Sequence, residues 1–171
     1  MKARFNRIYE EQKDAVYAYL LYMTKDAETA EDLSQDTFLK IYLNLFRFRG
    51  DCSEKTWALK IARNTFLSYA RKKKPILLEE QAWEGLPGAL YVDPEENVLL
   101  REREQMITSV LLALREDDRS VLLLRDYEGL PYQEIGRIMG LSEAAVKLRI
   151  FRARKRYQAL YRQCSGETRS D

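Results

Sequence analysis

Residues 125–157 read RDYEGLPYQEIGRIMGLSEAAVKLRIFRARKRY. The stretch predicts a short helix, a turn containing Gly140 and a longer helix opening at Ser142, which is the layout of a helix-turn-helix. Pro131 suits an early position of the first helix. Ile135, Ile138 and Met139 are spaced to pack inward. Gly140 supplies a left-handed turn residue; Ser142 caps the next helix, with Glu143 in its first turn. Along that helix Val146, Ile150, Ala153, Tyr157 and Leu160 form one apolar stripe. The opposite face carries Leu148, Phe151, Arg152 and Lys155, flanked by Lys147 and Arg149. A merely solvated face would not choose Leu and Phe. A face that enters a DNA major groove can use both kinds of residue: apolar groups touch thymine methyls, and cations reach guanine edges and phosphates.

Composition bounds the rest. The chain has 171 residues, room for one large or two small domains. Hydrophobic residues at 46% allow packed cores, and only 7 Gly and 4 Pro favour helices. Net charge is +2, but residues 1–74 hold 15 basic and 10 acidic side chains, 75–100 none and 6, and 101–171 14 and 11. Two mildly basic segments therefore flank a wholly acidic one. No His is present, which removes the commonest general base and metal ligand. Cys52 and Cys164 stand in no metal-binding spacing and read as free thiols of a reducing cytoplasm. No signal peptide or membrane span is expected. No cofactor and no metal site are expected either.

The pattern predicts an all-α fold: two small helical domains joined by a flexible linker, the C-terminal one containing the helix-turn-helix. The expected divisions are 1–74, an acidic linker over 75–95 marked by Pro75, Pro87 and Pro94, a second domain over 96–164, and a tail over 165–171. Helices are expected over 4–24, over 26–46 and, capped by Ser53, to about Lys73. Others are expected from Glu96 to Leu114 and from Asp117 to Tyr127.

Two surfaces ask for partners. On the second helix Ala30, Leu33, Thr37, Ile41 and Leu45 form a core side, and Asp32, Gln35, Asp36, Leu39 and Leu43 lie opposite. That outer side reads either as a solvated face with stray leucines or as a docking face for a protein. On the third helix Trp57, Ile61 and Thr65 are expected to pack, leaving Thr56, Lys60, Arg63, Asn64 and Arg71 on the other side. Cations interleaved with aromatics and amides suit an unstacked single strand; a basic solvated helix with a core Trp is the plainer reading.

Taken in order, AEDLSQDTFLKIYLNLFRFRGD (30–51), TWALKIARNTFLSYARKK (56–73) and LREDDRSVLLLRDYEGLPYQEIGRIMGLSEAAVKLRIFRARKR (114–156) resemble the extracytoplasmic-function (ECF) sigma factors of bacteria. The resemblance covers about residues 5–162. It implies a non-catalytic subunit that binds core RNA polymerase, through its largest and second-largest subunits, and directs it to promoter DNA. It implies polymerase binding by Asp32, Gln35, Asp36 and Leu39. Capture of a flipped base of the minus-ten element would fall to Phe48, Arg49, Gly50, Asp51, Lys60 and Asn64. Contacts to the minus-thirty-five element would fall to Arg125, Lys147, Arg149, Phe151 and Arg152. It further implies an anti-sigma factor, often membrane-anchored, as the usual inhibitor, and a linker that threads into the polymerase.

The chain departs from the family pattern at Ala144-Ala145, where Gly-Thr is frequent, at Leu148, where a small polar residue is common, and at Lys60, where Arg is common. These departures bear on the promoter sequence, not the mechanism. Three rival readings compete. A stand-alone helix-turn-helix regulator would bind duplex DNA unaided. A nucleic-acid enzyme would use Glu31, Asp32 and Asp36 as metal ligands, but these face outward with no nucleophile beside them. A decoy lacking DNA contacts is disfavoured by the basic, Phe-bearing face.

Overall fold

The structure, a computed structural model, describes residues 1–73 and 98–166. Among the described residues it is built of helices with no strand. The connection expected over 75–95 lies outside the described residues, as do residues 167–171.

Three helices form the first domain: α1 (Lys2–Thr24), α2 (Ala27–Asn44) and α3 (Glu54–Lys73). α1 buries Ile8, Gln12, Val16, Tyr19, Leu20 and Met23, a three-and-four spacing that makes one stripe. It ends where Lys25 adopts a left-handed conformation. Asp26 then caps α2, its side chain accepting the Thr29 N–H at 2.8 Å. The two-residue connection makes α1 and α2 antiparallel neighbours. α2 buries Ala30, Leu33, Thr37, Phe38 and Ile41, and Leu45 is buried in the 3₁₀ turn Leu45–Arg47 that ends it.

Ser53 caps α3 as expected, its Oγ accepting the Thr56 N–H at 3.0 Å. The packing face of α3 includes the expected Trp57, Ile61 and Thr65 and is wider than expected. Thr56 is fully buried and its Oγ1 pairs with Ser53 Oγ at 2.8 Å, so it belongs to the core and not to a nucleic-acid face. Ala58, Leu59, Ala62 and Phe66 are buried beside it, while Trp57 and Ile61 are half-buried at the edge. Arg63 also turns inward and is largely covered. The reason is that α3 is packed on more than one side, against α1 and α2 and also against the second domain.

The second domain comprises α4 (Val98–Ala113), α5 (Glu116–Leu122) with a wider π-turn at Leu123–Tyr127, α6 (Tyr132–Met139) and α7 (Glu143–Ser165). Three carboxylates, Glu116, Asp117 and Asp118, stand in the first turn of α5, where the helix dipole favours them. Val121, Leu124, Leu130, Ile135, Ile138, Val146, Ile150 and Ala153 close the core. α7 continues through Ser165 to Gly166, which adopts a left-handed conformation.

Two glycines set the helix-turn-helix. Gly140 has φ 69°, a conformation that L side chains rarely adopt. Gly136 lies inside α6, and a Cβ there would stand 2.5 Å from the Leu141 carbonyl oxygen, a backbone atom. The Leu141 N–H also donates to the Gly136 carbonyl at 3.0 Å, so the turn folds directly onto this residue. Gly136→Ala is therefore expected to destabilise the second domain by about 1–3 kcal/mol, the usual range for overpacking. Thermal unfolding checks this; an unchanged Tm contradicts it.

Candidate polymerase and nucleic-acid interfaces

The outer face of α2 is formed as expected. Asp32, Gln35, Asp36 and Leu39 are all exposed, and their spacing of three, four and seven residues sets them on one side of the helix. Leu39 is 57% exposed, and Leu43 (58%) and Phe46 (70%) extend the row past the end of the helix. A single exposed leucine needs no explanation; a row of three large apolar residues beside carboxylates is the composition of a protein-docking surface.

The loop between α2 and α3 is anchored at one end. Phe48 stacks on Trp57 with ring centroids 4.7 Å apart and planes at 27°. The Arg4 guanidinium lies over the Phe48 ring at 5.2 Å. Phe48 is thus half-buried and fixed, while Arg49, Gly50 and Asp51 form an exposed tip. Gly50 has φ 79°, which turns the tip. Lys60 and Asn64, one helical turn apart on α3, are both exposed. Trp57 supports the loop from below. Cys52 next to it is a half-buried free thiol whose pKa is raised, chiefly by burial.

On α7, Ser142 Oγ accepts the Ala145 N–H at 3.2 Å, capping the helix that presents the third group. Lys147, Leu148, Phe151 and Arg152 are exposed, and the Lys155 ammonium sits 4.7 Å over the Phe151 ring. The crowded basic run divides by role. Arg154 pairs with Asp126 and Arg156 with Asp118, binding α7 to its own domain. Arg152 has no ion pair among the described residues. Arg125 is half-buried: it donates to the Leu130 carbonyl at 2.8 Å and lies 4.7 Å over the Tyr132 ring, so it braces the entry to α6. Arg149 is half-buried because it donates to Asp117 at 3.1 Å.

Asp117 was not singled out by sequence reasoning, nor were its neighbours. Its second oxygen accepts from Arg63 of α3 at 3.2 Å. Next to it, Arg119 donates to the Tyr22 and Met23 carbonyls of α1, and Ser120 Oγ lies 2.7 Å from Tyr19 Oη. These contacts join the two domains. The residues are 54 to 101 positions apart in the chain, and no spacing signal foretells them.

The same two domains emerge from comparison with known proteins. The Sigma-70 region 2 family model matches residues 8–76, and the Sigma-70, region 4 model matches residues 104–156. The chain is 36% identical over 148 residues to RNA polymerase sigma factor YlaC of Bacillus subtilis, covering 86% of each chain. It is 36% identical over 157 residues to the ECF RNA polymerase sigma factor SigM of the same organism, covering 91% of this chain and 94% of the relative. Among solved structures it is similar to the sigma factor RpoE in complex with the anti-sigma factor NepR from Bartonella quintana. The TM-score is 0.74 at 26% identity, over 92% of this chain and 96% of that one. With both regions matched in order and relatives aligned over most of their length, the chain belongs to the extracytoplasmic-function sigma factors, the non-catalytic subunits that direct bacterial RNA polymerase to its promoters.

Proposed function

We propose that the three surfaces divide the work of initiation. Asp32, Gln35, Asp36 and Leu39 dock on core polymerase, the carboxylates against Arg or Lys and the leucine into an apolar pocket. The tip Arg49–Asp51, with Phe48 as its fixed base and Lys60 and Asn64 beside it, holds an unstacked base of the displaced strand at the minus-ten element. Stacking, an amide and a cation supply the contacts such a base needs. Lys147, Arg149, Phe151 and Arg152 enter the major groove of the minus-thirty-five element. Arg125, already committed to Leu130 and Tyr132, turns its remaining donors to a flanking phosphate.

The observation that carries this reading is the separation of chemistry between α2 and α7. One exposed face is acidic and leucine-rich; the other is cationic and Phe-bearing. The first repels a phosphate backbone and suits a protein, whereas the second suits DNA. A stand-alone duplex-binding regulator has no use for the α2 face. The likeness to a sigma factor held by an anti-sigma factor supports such a protein as this chain's inhibitor. No helix among the described residues is long and apolar enough to cross a membrane. Together with the two free thiols this supports a cytoplasmic site of action. Run-off transcription on genomic fragments tests the assignment: core polymerase plus this chain yields discrete transcripts that core alone does not. Identical transcripts with and without the chain overturn it.

A further inference from the structure

Leu148 and Phe151 are the two large apolar side chains of α7 that stand exposed, at 48% and 57%. Val146, Ile150 and Ala153, on the other side of the helix, are buried. At about 100° per residue, Leu148 points almost directly away from that buried stripe. Phe151 and Arg152 lie about 50° to either side of the outward direction. Ala144, one turn before Leu148 on the same side, is exposed as well.

The position along the helix matters too. The Ser142 cap fixes where α7 begins, which puts Ala144 in the first turn and Leu148 in the second. Recognition helices read base edges with their N-terminal residues. Lys155 also faces outward, but it lies about 10 Å farther along the helix. Its ammonium is spent over the Phe151 ring, at 4.7 Å. Leu148 is therefore the large side chain that stands foremost in the base-reading part of α7.

Its surroundings name the partner. Lys147, Arg152 and Lys155 are exposed around it, and Arg149 is turned towards α5 by Asp117. Charged groups are depleted at the centre of protein–protein interfaces, so a leucine ringed by cations suits an anionic partner better. Leucine brings neither a hydrogen-bond donor nor an acceptor. Pressed against the major-groove edge of adenine, guanine or cytosine, it desolvates an amino group, a carbonyl or a ring nitrogen with nothing in return. Thymine alone among the four bases offers a methyl group at that edge. A small polar residue, common at this position in the family, can bond a polar base edge; leucine cannot.

We propose that Leu148 is a specificity-determining residue, which selects the C5 methyl of a thymine at one position of the minus-thirty-five element. This rests on the reading of α7 as the DNA-reading helix. The group recognised is the methyl on a pyrimidine ring and not the whole base, so 5-methylcytosine satisfies the same contact. Lys147, Phe151 and Arg152 supply the other contacts and leave this preference untouched.

The test uses holoenzyme assembled from core polymerase and the chain. It selects duplexes from a library randomised across the upstream element. The unaltered chain is expected to enrich thymine at one position that Leu148→Ser no longer enriches, with preferences elsewhere retained. Those retained preferences also show that the variant is folded. Affinity is then measured on single duplexes carrying thymine or uracil at that position, since uracil lacks only the methyl. Its loss should weaken the unaltered holoenzyme about fourfold, the effect of one buried carbon group. The Leu148→Ser holoenzyme should not distinguish the two. Changing cytosine to 5-methylcytosine there should strengthen binding by a similar factor, again only with Leu148 present. Equal affinity for thymine and uracil overturns the inference. So does a preference lost in Leu148→Ser for any base other than thymine. A thymine preference that survives Leu148→Ser undiminished overturns it as well and assigns the methyl to Phe151. Failure of the sigma-factor reading shows up separately, as enrichment of no sequence at all.

Discussion

Replacing Asp36 and Leu39 together by Ala is expected to lower affinity for core polymerase by about 100-fold or more and to silence transcription from every promoter alike. Interface hot spots lose roughly 2 kcal/mol or more on truncation, and about 1.4 kcal/mol is a factor of ten. Leu39 is 57% exposed, so its removal leaves no cavity in the free chain. Asp36 is exposed and makes no ion pair among the described residues. Stability should therefore not change, and thermal unfolding with a midpoint equal to that of the unaltered chain separates lost docking from lost fold. Binding is read by titrating labelled chain with core polymerase. Undiminished affinity in a folded variant removes α2 from the docking surface.

A second large effect is expected at Lys60 and Asn64. Changing both to Ala should leave polymerase binding intact and reduce open-complex formation on duplex promoter by about 10- to 100-fold, because unstacking a base costs a few kcal/mol that the pocket must offset. On a template already mismatched across the minus-ten element most of this cost is absent, and the defect should shrink to a few-fold. Permanganate reactivity of unpaired thymines reports opening directly. Equal defects on both templates contradict a role in strand capture and leave only a phosphate contact. Since Phe48 is fixed between Trp57 and Arg4, Trp57→Ala should weaken opening indirectly, by loosening the loop.

What could be read from the sequence followed local rules. The helix-turn-helix was legible because each boundary has its own residue: Pro131 before α6, Gly140 at φ 69° after it, and Ser142 with its cap bond to Ala145. The two sides of α2 were legible because Ala30, Leu33, Thr37 and Ile41 keep a regular period. α3 was read with too narrow a packing face: Thr56 was set on the surface side and is buried. A helix covered on several sides carries no single stripe, and the Ser53–Thr56 hydroxyl pair buries a residue whose polarity suggested a surface. The partial burial of Arg125 and Arg149, both in the set proposed to face DNA, had no local signal. Each is engaged by a group, the Leu130 carbonyl or Asp117, that only tertiary structure brings near. Family resemblance suggested the surfaces, and the structure shows which of their residues are exposed and which have partners among the described residues.

One comparison tests the central claim most directly: binding of the chain to its own promoter duplex at fixed ionic strength, alone and with core polymerase. Each small domain alone makes few phosphate contacts. Sequence-specific binding and strand opening should therefore appear only with polymerase present, the chain alone binding weakly at any promoter. Nanomolar, sequence-specific binding by the chain alone, unchanged when polymerase is added, would contradict the account.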